Sequence, residues 1–168
     1  MTFPEPTVPA AAGRAEVFLR YLDYFRETLL HKVASLPADA LGRSSLPSGW
    51  TPLELLKHLR YVELRWLEWG FAGRAVPEPW GDRRDERWYV APGETLDTLS
   101  EQLRRQGETT RPIITGGDLD TLGAPGPRWD GADPPPLERI LFHLLQEYAR
   151  HAGHIDIVAE LAGGTQGE

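Results

Sequence analysis

The segment over about residues 137–162 constrains the fold of this chain more than any other. Its apolar residues recur at helical spacing, which predicts an amphipathic helix that packs against a core. The same face carries polar residues at spacings of four, four and three, namely His143, Glu147, His151 and His154. Burying a carboxylate among imidazoles costs on the order of several kcal/mol unless a partner compensates. A divalent metal ion suits this residue set best, so the segment predicts both a buried helix and a metal site.

Three other segments show the same helical periodicity. The first runs over about residues 14–36, and the second runs from Pro52 to about Gly70. Thr51 and Glu54 form a capping-box pattern at the start of the second helix, with proline at its first position. The third helix begins near residue 95, and we expect Pro112 to interrupt it.

Four amphipathic helices predict an all-α four-helix bundle. A long segment rich in Pro, Gly and Trp, residues 73–93, forms a crossover between the second and third helices, and Gly163-Gly164 ends the fourth. We assign residues 1–11 to a flexible N-terminal arm, 12–164 to the metal-binding bundle and 165–168 to a tail.

Composition excludes several classes of function. The chain has no cysteine, which excludes disulfides, a cysteine nucleophile and a zinc–thiolate site. A net charge of −7 argues against binding of a phosphate backbone, so we expect no nucleic-acid partner. No apolar run reaches the ~20 residues of a membrane-spanning helix, so we expect no membrane partner. The N-terminal segment lacks the basic start and apolar stretch of a secretory signal, which favours a cytoplasmic location.

A metal site can be assembled from two of the predicted helices. Glu147 and His151, one helical turn apart, can present an oxygen and a nitrogen to one ion. His58, near the inner face of the second helix, is the natural third ligand. Two histidines and one carboxylate leave coordination positions open, as catalytic sites do. These ligand types suit zinc, but also nickel, iron, cobalt or manganese.

Each of these residues also has a purely structural explanation. A single histidine on an apolar helix face is more often a hydrogen-bonded core residue than a ligand, and Glu147 could pair with Arg150 or Arg65. His154 could orient a ligand through a hydrogen bond or shuttle a proton. Arg65, Arg150 and Trp50 are candidate substrate contacts, although solvated helix faces and core packing explain such residues equally well.

Two segments resemble the DinB-like superfamily: Gly49-Trp-Thr-Pro-Leu-Glu-Leu-Leu-Lys-His58 with its continuation to Trp66, and His143-Leu-Leu-Gln-Glu147-Tyr-Ala-Arg-His151-Ala-Gly-His154. The chain is most similar to the actinobacterial branch that includes mycothiol-dependent maleylpyruvate isomerase and related mycothiol transferases. The resemblance implies an up-up-down-down bundle with a metal held by residues that match His58, Glu147 and His151. Many DinB-like proteins have histidine at the position of Glu147, which places this chain with the mycothiol branch.

The residues and the resemblance lead to one functional hypothesis and two alternatives. The hypothesis is a divalent-metal-dependent thiol transferase or isomerase of the mycothiol type, in which a metal-bound thiolate attacks an electrophilic small molecule. A thiol from outside the protein would supply the nucleophile that a cysteine-free chain lacks. The alternatives are a hydrolase with metal-activated water and a non-catalytic metal- or ligand-binding stress protein. We also expect a homodimer, since bundles of this superfamily often pair.

Overall fold

The computed structural model describes residues 6–9 and 12–163. Most of the predicted arm, all of the predicted tail and residue 164 lie outside the described residues. Within that part, the chain forms five α-helices and one short antiparallel hairpin: α1 (Arg14–Ala34), α2 (Ala38–Leu41), α3 (Pro52–Glu63), β1 (Arg83–Arg84), β2 (Arg87–Trp88), α4 (Leu96–Gly116) and α5 (Leu137–Leu161). A π-helical segment, Leu64–Phe71, extends α3, and a short 3₁₀ turn, Pro127–Trp129, precedes α5.

The predicted capping box defines where α3 begins. The Thr51 hydroxyl accepts a hydrogen bond from the Glu54 amide, and the Glu54 carboxylate accepts one from the Thr51 amide. Two backbone donors that a helix start leaves unpaired are thereby satisfied. The cap fixes the first turn of the helix that carries His58.

Helix α4 runs through Pro112 without a break, so the predicted interruption there is wrong. Pro112 is exposed, while Leu103 and Ile114 on either side of it are buried. A proline removes one helical hydrogen bond, a local loss that burial of the flanking apolar residues offsets. Tertiary packing therefore decides the length of this helix.

Contacts between helices give their directions. α1 and α5 are parallel, since the residue numbers rise together on both helices in two ion pairs: Arg14–Glu138 and Lys32–Asp156. α1 and α4 are antiparallel, since their pairs advance in opposite senses: Asp23–Arg111 and Glu27–Arg104. α3 and α5 are also antiparallel, as two contacts show: Glu63–Tyr148 and Trp66–His143.

The four long helices therefore run up, down, down and up. The all-α four-helix bundle with a long crossover between α3 and α4 is confirmed, but the up-up-down-down order is wrong. That order requires two long crossovers, whereas this chain has one, which makes α3 and α4 parallel. The other two connections return the chain in the opposite direction.

The core of the bundle lies between the apolar faces of the long helices. The predicted apolar face of α5 is buried along its length: Ile140, Leu144, Tyr148, Ile155 and Val158. A fully buried side chain of this kind contributes about 1.5–3 kcal/mol relative to an exposed one. This burial holds α5 against α1 and α3 and so fixes the side chains that α5 presents to α3. In the described part of the chain, no helix combines the length and apolar character needed to cross a bilayer.

The crossover contains a short antiparallel hairpin formed by β1 and β2. Arg83 pairs with Trp88, and two residues at its tip, Asp85 and Glu86, have left-handed backbone angles (φ 50° and 63°). Such angles are typical of the tight turns that match the twist of paired strands. The Tyr89 amide donates to the Asp82 carbonyl at 2.8 Å, which closes the base of the hairpin.

Candidate metal centre

Three side chains from two helices converge between α3 and α5. His58 comes from α3, and Glu147 and His151 come from α5. The Nε2 atoms of the two histidines lie 3.5 and 3.4 Å from the same Glu147 oxygen, Oε2. One ligand atom from each of the three residues lies within 4.8 Å of the others. The structure thus brings together the three residues that the sequence predicted as metal ligands.

The donor set and its spacing fit a divalent metal. Two imidazole nitrogens and a carboxylate oxygen are common zinc ligands, with bonds of about 2.0–2.2 Å. Neighbouring ligand atoms in such a tetrahedral site are about 3.4 Å apart, close to the two nitrogen–oxygen distances in this cluster. Contacts with His151 and His58 hold the pKa of Glu147 well below its usual range, so this carboxylate is ionised. Three protein ligands leave a coordination position for a small molecule.

His58 is held on two sides by the crossover. Its Nδ1 atom lies 3.1 Å from Oδ2 of Asp82, and its ring stacks on Trp88 with centroids 4.2 Å apart. The imidazole is only 6% exposed. The hairpin therefore restricts both the position and the rotation of the His58 ring.

Asp82 is a buried carboxylate that sequence reasoning missed. It is 0% exposed and forms two hydrogen bonds with Arg65, at 2.6 and 3.1 Å. Burial by itself would raise the pKa of Asp82, but the contacts with His58 and Arg65 hold it below its usual range. Asp82 lies 24 residues from His58 in a segment without periodicity, so nothing in the local pattern marks it.

His154 lies beside His151. Its Nδ1 atom is 3.2 Å from Nδ1 of His151, a hydrogen-bond distance in which one ring donates and the other accepts. Burial, followed by the neighbouring His151, lowers the pKa of His154, which favours its neutral form. An orienting role and a proton-shuttle role for His154 both stay predictions.

The candidate substrate residues occupy three different environments. Arg65 is buried and directed at Asp82 and the Pro79 carbonyl, to which it donates at 3.1 Å. Arg150 is exposed on α5. Trp50 is half-buried, and its ring lies 5.8 Å from that of His154. Of these three, only Trp50 lies against the histidine cluster itself.

A cavity of about 390 Å³ adjoins this cluster, with Trp50 and Trp88 in its wall. The two indole rings are 6.3 Å apart, and Trp88 also stacks on His58. The remaining lining residues are polar or small: Ser48, Gly49, Glu54, Glu86 and Arg87. Trp88 thus separates the cavity from His58, and none of the three converging side chains lines it.

His143 lies further along α5. Its ring packs against Trp66 at 4.3 Å, and its Nε2 atom is 4.0 Å from Oε1 of Glu147. Burial lowers the pKa of His143. It contacts the oxygen of Glu147 that faces away from His58 and His151, so its position differs from that of the three converging side chains.

Two solved structures are similar to this chain in fold. A DinB-like protein from Bacillus cereus is 19% identical with a TM-score of 0.63, and the match covers 91% of this chain and 95% of that one. A conserved protein from Enterococcus faecalis is 15% identical with a TM-score of 0.65, over 92% and 100% of the two chains. At these identities the likeness shows the fold alone. No curated protein matches the chain at a significant level.

The sequence match is more informative than the structural one. Residues 17–164 match the family described as mycothiol-S-transferase, which covers most of the chain and includes all three converging side chains. The resemblance seen in the two sequence segments is therefore confirmed. The chain belongs to the mycothiol-S-transferase family.

Proposed function

We propose that this protein is a divalent-metal-dependent S-transferase that joins a low-molecular-weight thiol of the mycothiol type to an electrophilic small molecule. The observation that carries the proposal is the convergence of His58, Glu147 and His151 in a chain of this family. Zinc is the metal that we propose, since it suits a site of two histidines and one carboxylate with an open position. Nickel, iron, cobalt and manganese are the other metals to be tested.

Different residues in and around the cluster would have different roles at such a site. His58, Glu147 and His151 would hold the ion, and His154 orients His151 through the contact between their Nδ1 atoms. Trp50 and Trp88 form an apolar wall that limits the access of water. When bound, a divalent metal supplies Lewis acidity that lowers the pKa of a thiol ligand.

The absence of cysteine agrees with a nucleophile that comes from the substrate. The transfer forms one bond between the thiol sulfur and the electrophilic carbon. The leaving group departs with its electron pair, and the thiol proton passes to water. We expect the electrophile to approach from the cavity of about 390 Å³ that Trp88 separates from His58.

The test combines elemental analysis with a transferase assay. Purified protein loaded with zinc is incubated with mycothiol and a panel of small electrophiles, and S-conjugates are measured by mass spectrometry. We expect conjugates only when thiol, metal and an intact cluster are all present, so that Glu147→Gln abolishes them. Product formed at the same rate without thiol would contradict the proposal and favour hydrolysis by metal-activated water. Tight metal binding without turnover of any electrophile would favour a non-catalytic binding protein.

Two further predictions belong to this proposal. A homodimer is expected, and analytical ultracentrifugation measures it directly. A cytoplasmic location is also expected, because a transferase that uses a free thiol needs a compartment that keeps thiols reduced. Fractionation of cells that express the protein tests that location.

A further inference from the structure

We propose that Asp82 is a positioning residue of the metal centre: it holds His58 in the tautomer that presents Nε2 to a divalent cation, and Arg65 holds Asp82 in turn. The inference rests on the proposed metal-dependent function and adds to it two residues outside the ligand set. It also gives Arg65, considered from sequence as a substrate contact, a different role.

The tautomer follows from the direction of one hydrogen bond. An ionised carboxylate can only accept, so a hydrogen bond between Asp82 and His58 requires a proton on Nδ1 of the ring. These two atoms are 3.1 Å apart. A proton on Nδ1 leaves the lone pair of a neutral imidazole on Nε2, the atom that lies 3.5 Å from Glu147. His58 is thereby prepared to bind a cation on the side of α5.

Arg65 stabilises the buried carboxylate of Asp82 and holds it in position. Its guanidinium donates to both Asp82 oxygens, at 2.6 and 3.1 Å, and one of the same nitrogens donates to the Pro79 carbonyl. The guanidinium also lies over the Trp80 ring, 4.4 Å from its centroid. Arginine stays charged at any physiological pH, so a buried carboxylate beside it has a permanent counter-charge.

The backbone of the crossover places Asp82 against α3. Gly81 lies so close to Tyr61 that an added Cβ atom would be 2.3 Å from the phenol oxygen. Only glycine allows this approach, because any other side chain would push the crossover away from the helix. The hairpin then begins at Arg83 and returns Trp88 to the face of His58. The fold therefore supports His58 at its edge and on its face.

A merely structural role for Asp82 is the competing explanation, since a buried ion pair with Arg65 could simply anchor the crossover. The two explanations differ in what they predict for the His58 ring. A positioning role sets which ring nitrogen carries the proton and how tightly the site binds metal. An anchoring role affects the stability of the fold but leaves both properties unchanged in a folded variant.

The experiment uses Asp82→Asn, which keeps the size of the side chain and removes its charge. Long-range ¹H–¹⁵N spectra of metal-free, ¹⁵N-labelled protein report the tautomer of His58. Competition with a chromophoric chelator measures zinc affinity. We expect protonated Nδ1 in the parent protein, a mixture of tautomers in the variant, and zinc binding that is about 10–100-fold weaker. A folded variant with the parent tautomer and parent zinc affinity would overturn the proposal.

Two additional proteins complete the design. Asp156→Asn, which removes a partly buried carboxylate paired with Lys32, is the matched control and should leave the tautomer and zinc affinity unchanged. Arg65→Lys keeps the charge but not the two-pronged contact, so it should weaken zinc binding less than Asp82→Asn does. Arg65→Lys also replaces Asp82→Asn if the latter does not fold, and parent values in Arg65→Lys would then refute the proposal.

The design separates this inference from the proposed function. If the parent protein binds no divalent metal, the proposed function fails, whereas the spectra of His58 still test the role of Asp82. If the parent protein binds zinc and transfers thiols but Asp82→Asn changes neither tautomer nor affinity, only the present inference fails.

Discussion

Replacing Glu63 with alanine is expected to destabilise the bundle by about 3–4 kcal/mol. Glu63 is 1% exposed and lies where three helices meet α3. Its two oxygens accept hydrogen bonds from Arg26 at 2.7 Å, Thr110 at 2.9 Å and Tyr148 at 2.5 Å. Three side chains, from α1, α4 and α5, thus depend on one carboxylate of α3.

The magnitude follows from what the substitution leaves behind. Arg26 cannot lose its proton and is only 6% exposed, so removal of Glu63 leaves a buried cation. Loss of one partner of a buried ion pair costs about 3–5 kcal/mol. Arg26 keeps its contact with Asp23 at 2.6 Å, and Asp23 is partly open to water, which places the expected loss in the lower part of that range.

Urea unfolding followed by circular dichroism measures this loss. The protein is kept free of metal throughout, so that metal binding does not contribute to the free energy of unfolding. For a domain of this size we expect the melting temperature to fall by about 6–16 °C, at about 2–4 °C per kcal/mol.

Asp39→Ala is the matched control. It breaks the Asp39–Arg43 ion pair, whose side chains are 71% and 74% exposed, and should change the free energy of unfolding by less than about 0.5 kcal/mol. A loss below about 1 kcal/mol for Glu63→Ala, or one no larger than that of the control, would refute the reasoning from burial.

The three other predictions concern the affinity for zinc, the tight packing at Gly107 and the effect of zinc on stability. Glu147→Gln should weaken zinc binding at least about tenfold, because a neutral amide replaces the anionic carboxylate. The control Glu138→Gln, on the same helix, should leave zinc binding unchanged. Competition with a chelator measures both affinities. Gly107→Ala should destabilise by about 1–3 kcal/mol in urea unfolding, since its Cβ would lie 2.5 Å from Cζ of Arg26. Gly153→Ala in α5 should instead stabilise the fold by about 0.5–1 kcal/mol, because the added Cβ has open space around it. Equal effects of the two substitutions would contradict the prediction. Zinc at about 100 times its dissociation constant should raise the free energy of unfolding by about 2.7 kcal/mol. The melting temperature should then rise by about 5–11 °C. An unchanged melting curve would show that the ion does not bind the folded state preferentially.

Local patterns in the sequence predicted the helices and the three converging side chains well. The capping box at Thr51 and the apolar face of α5 are both properties of contiguous residues, so periodicity and capping rules reveal them. His58 and the pair Glu147 and His151 lie on such periodic faces, and bundling brings those faces together.

The features that the sequence did not predict depend on contacts between distant segments. The up-down-down-up order is set by how α1 packs against α4 and α5, and the continuity of α4 through Pro112 is set by packing on both sides of that residue. Asp82 stands in a loop, where a single aspartate is most simply explained as a solvated turn residue. Only the folding of the crossover onto α3 shows that this aspartate is buried beside His58.

The hairpin of the crossover also limits how the loop can change in length during evolution. Asp82, just before β1, and Trp88, at the end of β2, both contact His58 from the base of the hairpin. Residues gained or lost at the tip, between Asp85 and Glu86, leave the strand register intact. An insertion of one residue between Asp82 and Arg83 would put a different residue opposite Tyr89, so Asp82 would lose its place beside His58. Indels in homologous loops should therefore cluster at the tip and be rare at the base.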